Sequence, residues 1–89
     1  MPTIHLVIKG KVQGVFYRAN TKKKAEELGI SGWVKNTAEG NVELMATGSD
    51  DTLEAFMAWC HIGPQKALVT ELVIIPCLPM EFNSFSIIR

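Results

Sequence analysis

Two segments with helical periodicity, set among alternating segments, constrain the fold of this 89-residue chain most strongly. The first segment places four residues on one helix face: Tyr17, Thr21, Ala25 and Leu28. The second has an apolar stripe at the same kind of spacing: Leu53, Phe56, Met57 and Cys60. Each stripe is typical of a helix that buries one face. Gly29 ends the first segment, and the pair Gly63-Pro64 ends the second.

Alternating residues typical of strands fill much of the remaining chain. Four such segments and a fifth, shorter one cover these ranges: 4–9, 30–37, 42–48, 67–76 and 82–89. The turn "AEGN" makes the second and third segments into a hairpin. In the last segment the alternation runs through Phe85, Ile87 and Arg89, which predicts a short extra strand.

The elements follow the order strand, helix, strand, strand, helix, strand. This order is typical of the α+β, ferredoxin-like split βαβ sandwich (βαββαβ), in which an antiparallel sheet carries both helices on one face. We therefore expect this fold, with a short extra C-terminal strand, over residues 1–89 as a single domain.

The charge balance disfavours a nucleic-acid partner. Nine basic and nine acidic residues cancel, whereas nucleic-acid binders usually carry a basic surplus. The third strand segment, "NVELMATG", also lacks the aromatic residues of an RNA-recognition domain on this fold. We therefore expect no nucleic-acid binding.

The sequence carries no signal for a membrane, for export or for a metal. It has no apolar run long enough to cross a bilayer, and its N-terminus lacks the basic-then-apolar layout of a signal peptide. The only cysteines, Cys60 and Cys77, show no paired metal spacing, and adjacent Cys60 and His61 point apart on a helix. We expect a cytoplasmic monomer with no membrane partner, no metal and no cofactor.

Residues 10–18, "GKVQGVFYR", include two glycines, a glutamine and an arginine that a segment merely connecting a strand to a helix does not need. Gly14 permits backbone conformations forbidden to residues with a Cβ, and successive amides in such a curl can converge on an anion at the start of a helix. Arg18 adds a planar fork that matches two phosphoryl oxygens. The G-x-x-x-x-G-K-[ST] and G-x-G-x-x-G patterns are absent. The pattern alone therefore leaves two hypotheses open, an anion-binding loop and a plain strand-to-helix connection.

Several separated motifs resemble the acylphosphatase family. They are "GKVQGVFYR" at 10–18, "LGISGWVKNTAEGNVE" at 28–43, "GP" at 63–64 followed by Ala67 and Val69, and the closing "FSIIR". The resemblance extends from about Ile4 to Arg89 and keeps the spacing between the motifs. It implies a ferredoxin-like fold and a metal-independent hydrolase of small-molecule acyl phosphates.

The same resemblance implies a role for each residue of the site. Arg18 would grip the phosphoryl group, and Asn36 would hold the attacking water. Main-chain amides would complete the phosphoryl cradle at Gln13, Gly14, Val15, Phe16 and Tyr17. So few groups are chemically sufficient, because a carboxylate leaving group with a pKa of about 4 to 5 needs no general acid. The loose transition state likewise asks little of a base.

Two departures from the family pattern are small. Tyr17 stands where the family commonly has phenylalanine, and the turn contains "AEG" where "DG" is frequent. We expect the phenol either to disturb the packing of the loop or to add a surface hydrogen bond. The alternative function is a domain of the same fold that binds phosphate or carbamoyl phosphate with weak or no turnover.

Overall fold

Five strands and two helices make up the protein, which is described here by a computed structural model covering residues 1–88. Their bounds are β1 (Thr3–Lys11), α1 (Tyr17–Glu27), β2 (Ser31–Asn36), β3 (Val42–Thr47), α2 (Asp50–Ile62), β4 (Leu68–Ile75) and β5 (Phe85–Ile88). The predicted order of elements is therefore confirmed. Arg89, to which the last alternation was extended, lies outside the described residues.

The strands form one sheet in the order β4-β1-β3-β2-β5. The four strands of the split βαβ motif are antiparallel to their neighbours, as expected. The extra strand β5 instead pairs with β2 in parallel, so that the whole sheet is mixed. The reason lies in residues 76–84, which run from one edge of the sheet to the other along a single end. There the Met80 carbonyl accepts a hydrogen bond of 2.8 Å from the Thr47 hydroxyl, and the Met80 N–H donates one of 2.8 Å to the Thr3 hydroxyl.

Both helices cover the same face of the sheet. Helix α1 contacts β2 and β5, and α2 contacts β4 and β1. The largest apolar side chains of the core are almost fully buried between these layers: Leu6, Ile8, Val34, Val42, Leu44 and Phe56. Both predicted helical stripes are therefore buried in the folded protein. Met57 and Leu28, at the margins of the two stripes, are half-buried. Within residues 1–88, neither helix is long and apolar enough to cross a membrane.

Tyr17, the first residue of α1, is 1% exposed. Its hydroxyl donates a hydrogen bond of 2.6 Å to the backbone carbonyl of Cys60 near the end of α2. Four residues beyond Cys60 the chain has Pro64, which has no N–H to offer that carbonyl. The phenol supplies the missing donor and joins the start of α1 to the end of α2. The expectation of a surface hydrogen bond was wrong, because the bond is buried.

Burial raises the pKa of the Tyr17 phenol above its usual value near 10. The hydroxyl therefore keeps its proton and stays a donor in the folded protein at neutral pH. Burial likewise raises the pKa of the Cys60 thiol to about 12.

We predict that Tyr17→Phe lowers the free energy of unfolding at pH 7 by about 1–3 kcal/mol, because the Cys60 carbonyl then stays buried without a donor. This difference should shrink above pH 10. Above that pH the unfolded wild type releases the Tyr17 proton while the folded protein retains it. The free energy of unfolding of the wild type therefore falls by about 1.4 kcal/mol per pH unit. The variant has no phenol at this position and lacks this loss.

Urea unfolding of both proteins between pH 7 and pH 11 measures the two effects. The Cys60 thiol ionises in the unfolded state of both proteins, and this contribution is common to the two stabilities. In the folded protein Tyr17 lowers the pKa of the thiol, so a Cys60→Ala background removes the remaining difference. Equal stability of the two proteins at pH 7 would contradict the proposed role of the phenol.

Candidate functional site

The loop of residues 12–16, between β1 and α1, contains two left-handed residues. Gly14 has a φ of 72° and Phe16 a φ of 63°, whereas Val15 between them does not have a positive φ. Such alternation turns successive backbone N–H groups towards the same side of the chain. A bulky residue rarely adopts this conformation. It is held here because Val15 and Tyr17, on either side of Phe16, are buried.

Helix α1 begins without the usual capping groups. Phe16 occupies the N-cap position, and within the described residues no side chain caps this end. The first turn of α1 also contains no acidic residue. The first helical N–H groups have no acceptor inside the helix, and they give this end a partial positive charge. The start of α1 is therefore suited to an anion.

A cleft of about 360 Å³ opens at this helix terminus. It is lined by Val12, Gly14, Phe16, Tyr17, Arg18, Ala19, Asn36 and Ile87. The structure thus brings Arg18 from α1 and Asn36 from the end of β2 to one cleft. Of the five residues expected in the cradle, Gly14, Phe16 and Tyr17 line it. Gln13 and Val15 do not.

The Arg18 guanidinium brings a cation to the cleft. The side chain is half-buried, and arginine remains charged under all ordinary conditions. Within residues 1–88, the ion pairs join Lys9 to Glu71, Lys24 to Glu27 and Lys35 to Glu43, and Glu43 also forms a hydrogen bond with His5. None of these contacts includes Arg18. No carboxylate of these residues therefore occupies the guanidinium N–H groups that a phosphoryl group would need.

Asn36 is the last residue of β2 and pairs with Val42 of β3. Its Oδ1 atom is buried, and none of the described residues donates a hydrogen bond to it. A buried acceptor without a partner is unusual in a folded protein. The carboxamide therefore has hydrogen-bonding capacity that the protein itself does not use.

Sequence reasoning missed the contribution of β5 to the cleft. Ile87 of β5 lies opposite Val34 of β2, two residues before Asn36, and forms part of the cleft wall. Alternation predicted the strand itself, but no local pattern predicts that it pairs in parallel beside β2. The pairing could be seen only in the folded sheet.

A second cavity, of about 550 Å³, lies beside residues 76–84. Its lining includes Met1, Ser31 and Thr47, together with residues 79–83. It contains none of the residues expected in the site, and Glu81 supplies its only charged side chain. The smaller cleft at α1 is therefore the candidate site for an anion.

Comparison with known proteins identifies the family of the chain. A sequence profile described as acylphosphatase matches residues 4–87. An acylphosphatase of Methylococcus capsulatus is 43% identical to this chain and aligns over 100% of it and 98% of its own length. An acylphosphatase of Marinobacter nauticus is 53% identical over 76% of this chain and 74% of its own. The crystal structure of acylphosphatase from Bacillus subtilis superposes with a TM-score of 0.95 at 30% identity, over 100% of both chains.

We predict that Asn36→Ala raises the free energy of unfolding by about 1 kcal/mol. The substitution removes a buried acceptor whose lack of a partner costs about 1–3 kcal/mol, and this gain exceeds the packing that is lost. The exposed Asn83 provides a matched control, because Asn83→Ala should change stability by less than about 0.5 kcal/mol. Urea unfolding at pH 7 measures both. A clear loss of stability in Asn36→Ala would show that the carboxamide has a hydrogen-bond partner in the folded protein, either in the chain or in water held by the cleft.

Proposed function

Because the chain belongs to the acylphosphatase family and is an acyl phosphate hydrolase, we propose that it cleaves the carboxyl-phosphate bond by in-line attack of a water molecule. The products are a carboxylate and inorganic phosphate. In this proposal Arg18 and the main-chain amides of residues 13–17 hold the phosphoryl group. Asn36 orients the water, and the reaction uses no metal ion.

One observation carries the proposal. Arg18 and Asn36 line the same cleft at the uncapped start of α1. The guanidinium and the helix terminus both favour an anion there. The carboxamide belongs to strand β2 and not to α1, so it can face the bound phosphoryl group from a different direction.

The chemistry asks little of these groups. The leaving carboxylate has a pKa of about 4 to 5, so it departs without receiving a proton. In a loose transition state, bond formation to water lags behind cleavage, and a strong base is not needed. What remains is to position the reactants and to stabilise the charge on the phosphoryl oxygens. Amide N–H groups and one guanidinium can do both.

Asn36 is assigned the water because a carboxamide can orient it without removing its proton. Its oxygen accepts a hydrogen bond and its NH₂ group donates. A half-turn of the planar group exchanges the two atoms, so either can be presented to the cleft. In this proposal Oδ1 of Asn36, which has no hydrogen-bond partner among the described residues, accepts a hydrogen bond from the water.

We predict that Arg18→Ala lowers kcat/KM for acetyl phosphate and benzoyl phosphate about a thousandfold or more, because the transition-state charge loses its guanidinium. Arg18→Lys keeps the charge but not the planar fork, and should lose about a hundredfold. Lys23→Ala removes a positive charge from an exposed position on the same helix and serves as the matched control.

Hydrolysis is followed with EDTA present, which tests metal independence in the same assay. Wild-type rates in both Arg18 variants would remove Arg18 from the mechanism. Tight phosphate binding by the wild type without turnover of either substrate would favour the alternative of a binding domain for phosphate or carbamoyl phosphate.

We predict that Asn36→Ala lowers kcat about a hundred- to a thousandfold, while the inhibition constant of inorganic phosphate changes less than about threefold. The phosphoryl-binding groups are intact in this variant, and only the orientation of the water is lost. Steady-state kinetics with phosphate as the inhibitor measure both constants. The assigned division of roles would be wrong if phosphate binding collapsed while turnover survived.

A further inference from the structure

We infer that the side chain of Gln13 is a positioning residue, which holds the end of β2, and with it Asn36, against the loop of residues 12–16. The inference rests on the proposed function, because it assigns Gln13 to the placement of the water-orienting residue. It concerns the side-chain carboxamide, which is distinct from the main-chain amide expected in the phosphoryl cradle.

The two N–H groups of the Gln13 carboxamide bridge to a separate part of the chain. Nε2 lies 2.9 Å from the carbonyl oxygen of Thr37 and 2.7 Å from that of Asn41. Both acceptors belong to the hairpin turn of residues 37–41, and Thr37 follows Asn36 directly. One side chain therefore links the loop before α1 to the turn that follows Asn36.

The same two carbonyls also close the hairpin turn internally. The N–H of Thr37 donates to the Asn41 carbonyl at 2.9 Å, and the N–H of Gly40 donates to the Thr37 carbonyl at 3.2 Å. Each carbonyl oxygen has two lone pairs, so it can accept a bond from the turn and a bond from Gln13. Gln13 thus secures a turn that is already closed, and it fixes the position of that turn relative to the loop.

Burial indicates which of the two segments moves when this link is lost. Val12, Val15 and Tyr17 are at most 5% exposed and anchor the loop in the core. The central residues of the turn, 38–40, are all exposed and have no such anchor. Loss of the Gln13 bonds should therefore loosen the turn and the adjoining Asn36, while the phosphoryl cradle keeps its shape.

The residue type fits this task. Glutamine offers two donors at the end of a chain long enough to reach both carbonyls. Asparagine keeps the donors on a side chain that is one methylene shorter. Methionine matches glutamine in length and has no N–H group, so Gln13→Met removes the two bonds with little change in volume.

The test compares Gln13→Met with Gln65→Met, the same substitution at the other, exposed glutamine. We expect kcat for acetyl phosphate to fall about ten- to a hundredfold in Gln13→Met, since small displacements of a positioned group cost that much. The inhibition constant of inorganic phosphate should stay within about twofold of the wild type. Gln13→Asn should fall between the wild type and Gln13→Met in kcat. Gln65→Met should match the wild type in both constants.

Amide hydrogen exchange provides a readout that does not depend on turnover. The N–H groups of Thr37, Gly40 and Asn41 should exchange faster in Gln13→Met than in the wild type, while the core amides of β1 and β3 keep their protection. Retained core protection also shows that the variant is folded.

Several outcomes would overturn the inference. They are a wild-type kcat in Gln13→Met, unchanged exchange in the turn, or a loss of phosphate affinity in step with kcat, which would place the damage in the cradle. If the wild type hydrolyses neither acetyl phosphate nor benzoyl phosphate, the proposed function fails by itself. Hydrogen exchange then decides alone whether Gln13 holds the turn.

Discussion

The buried Tyr17 side chain stabilises the segment on which the site depends. Its hydroxyl donates a hydrogen bond to the Cys60 carbonyl, to which Pro64 has no N–H to donate. The centroid of its ring lies 5.6 Å from that of Trp59. With Val15 also buried, the chain on both sides of Phe16 is fixed to the core. A left-handed, 76% exposed phenylalanine is unfavourable by itself. It persists because its surroundings determine the backbone more strongly than its own preference does.

The topology then explains why residues far apart in sequence share one cleft. Strands β1 and β2 are both antiparallel to β3, which lies between them. They therefore run in the same direction, and both finish at the same end of the sheet, beside the start of β3. Arg18 follows the end of β1, and Asn36 is the end of β2. Between them lies the start of β3 with its turn, and Gln13 reaches that turn from the loop.

The sequence predicted the parts of this arrangement that depend on local order. Periodicity predicted both helices and the strands of the split motif, and separated motifs in register indicated Arg18 and Asn36 through a family resemblance. Other features depend on contacts between distant segments, which leave no periodic signal. Examples are the parallel pairing of β5 beside β2, the hydrogen bond of Tyr17 and the two bonds of the Gln13 carboxamide. Alternation cannot reveal which edge a strand joins or which carbonyl a side chain reaches.

The two helix starts of this chain differ in a way that local stability cannot explain. Helix α2 begins with Ser49, whose side chain accepts a hydrogen bond from the Thr52 N–H, and with Asp50 and Asp51 in its first turn. It therefore follows the usual preference for a polar cap and early acidic residues. Helix α1 has Phe16 at its N-cap and Tyr17 and Arg18 at its start, and it lacks both features. A serine or an aspartate at its start would satisfy the free amides, and would also occupy the groups that an anion needs. The start of α1 is therefore less favourable for helix stability than that of α2, and its N–H groups suit a negatively charged ligand.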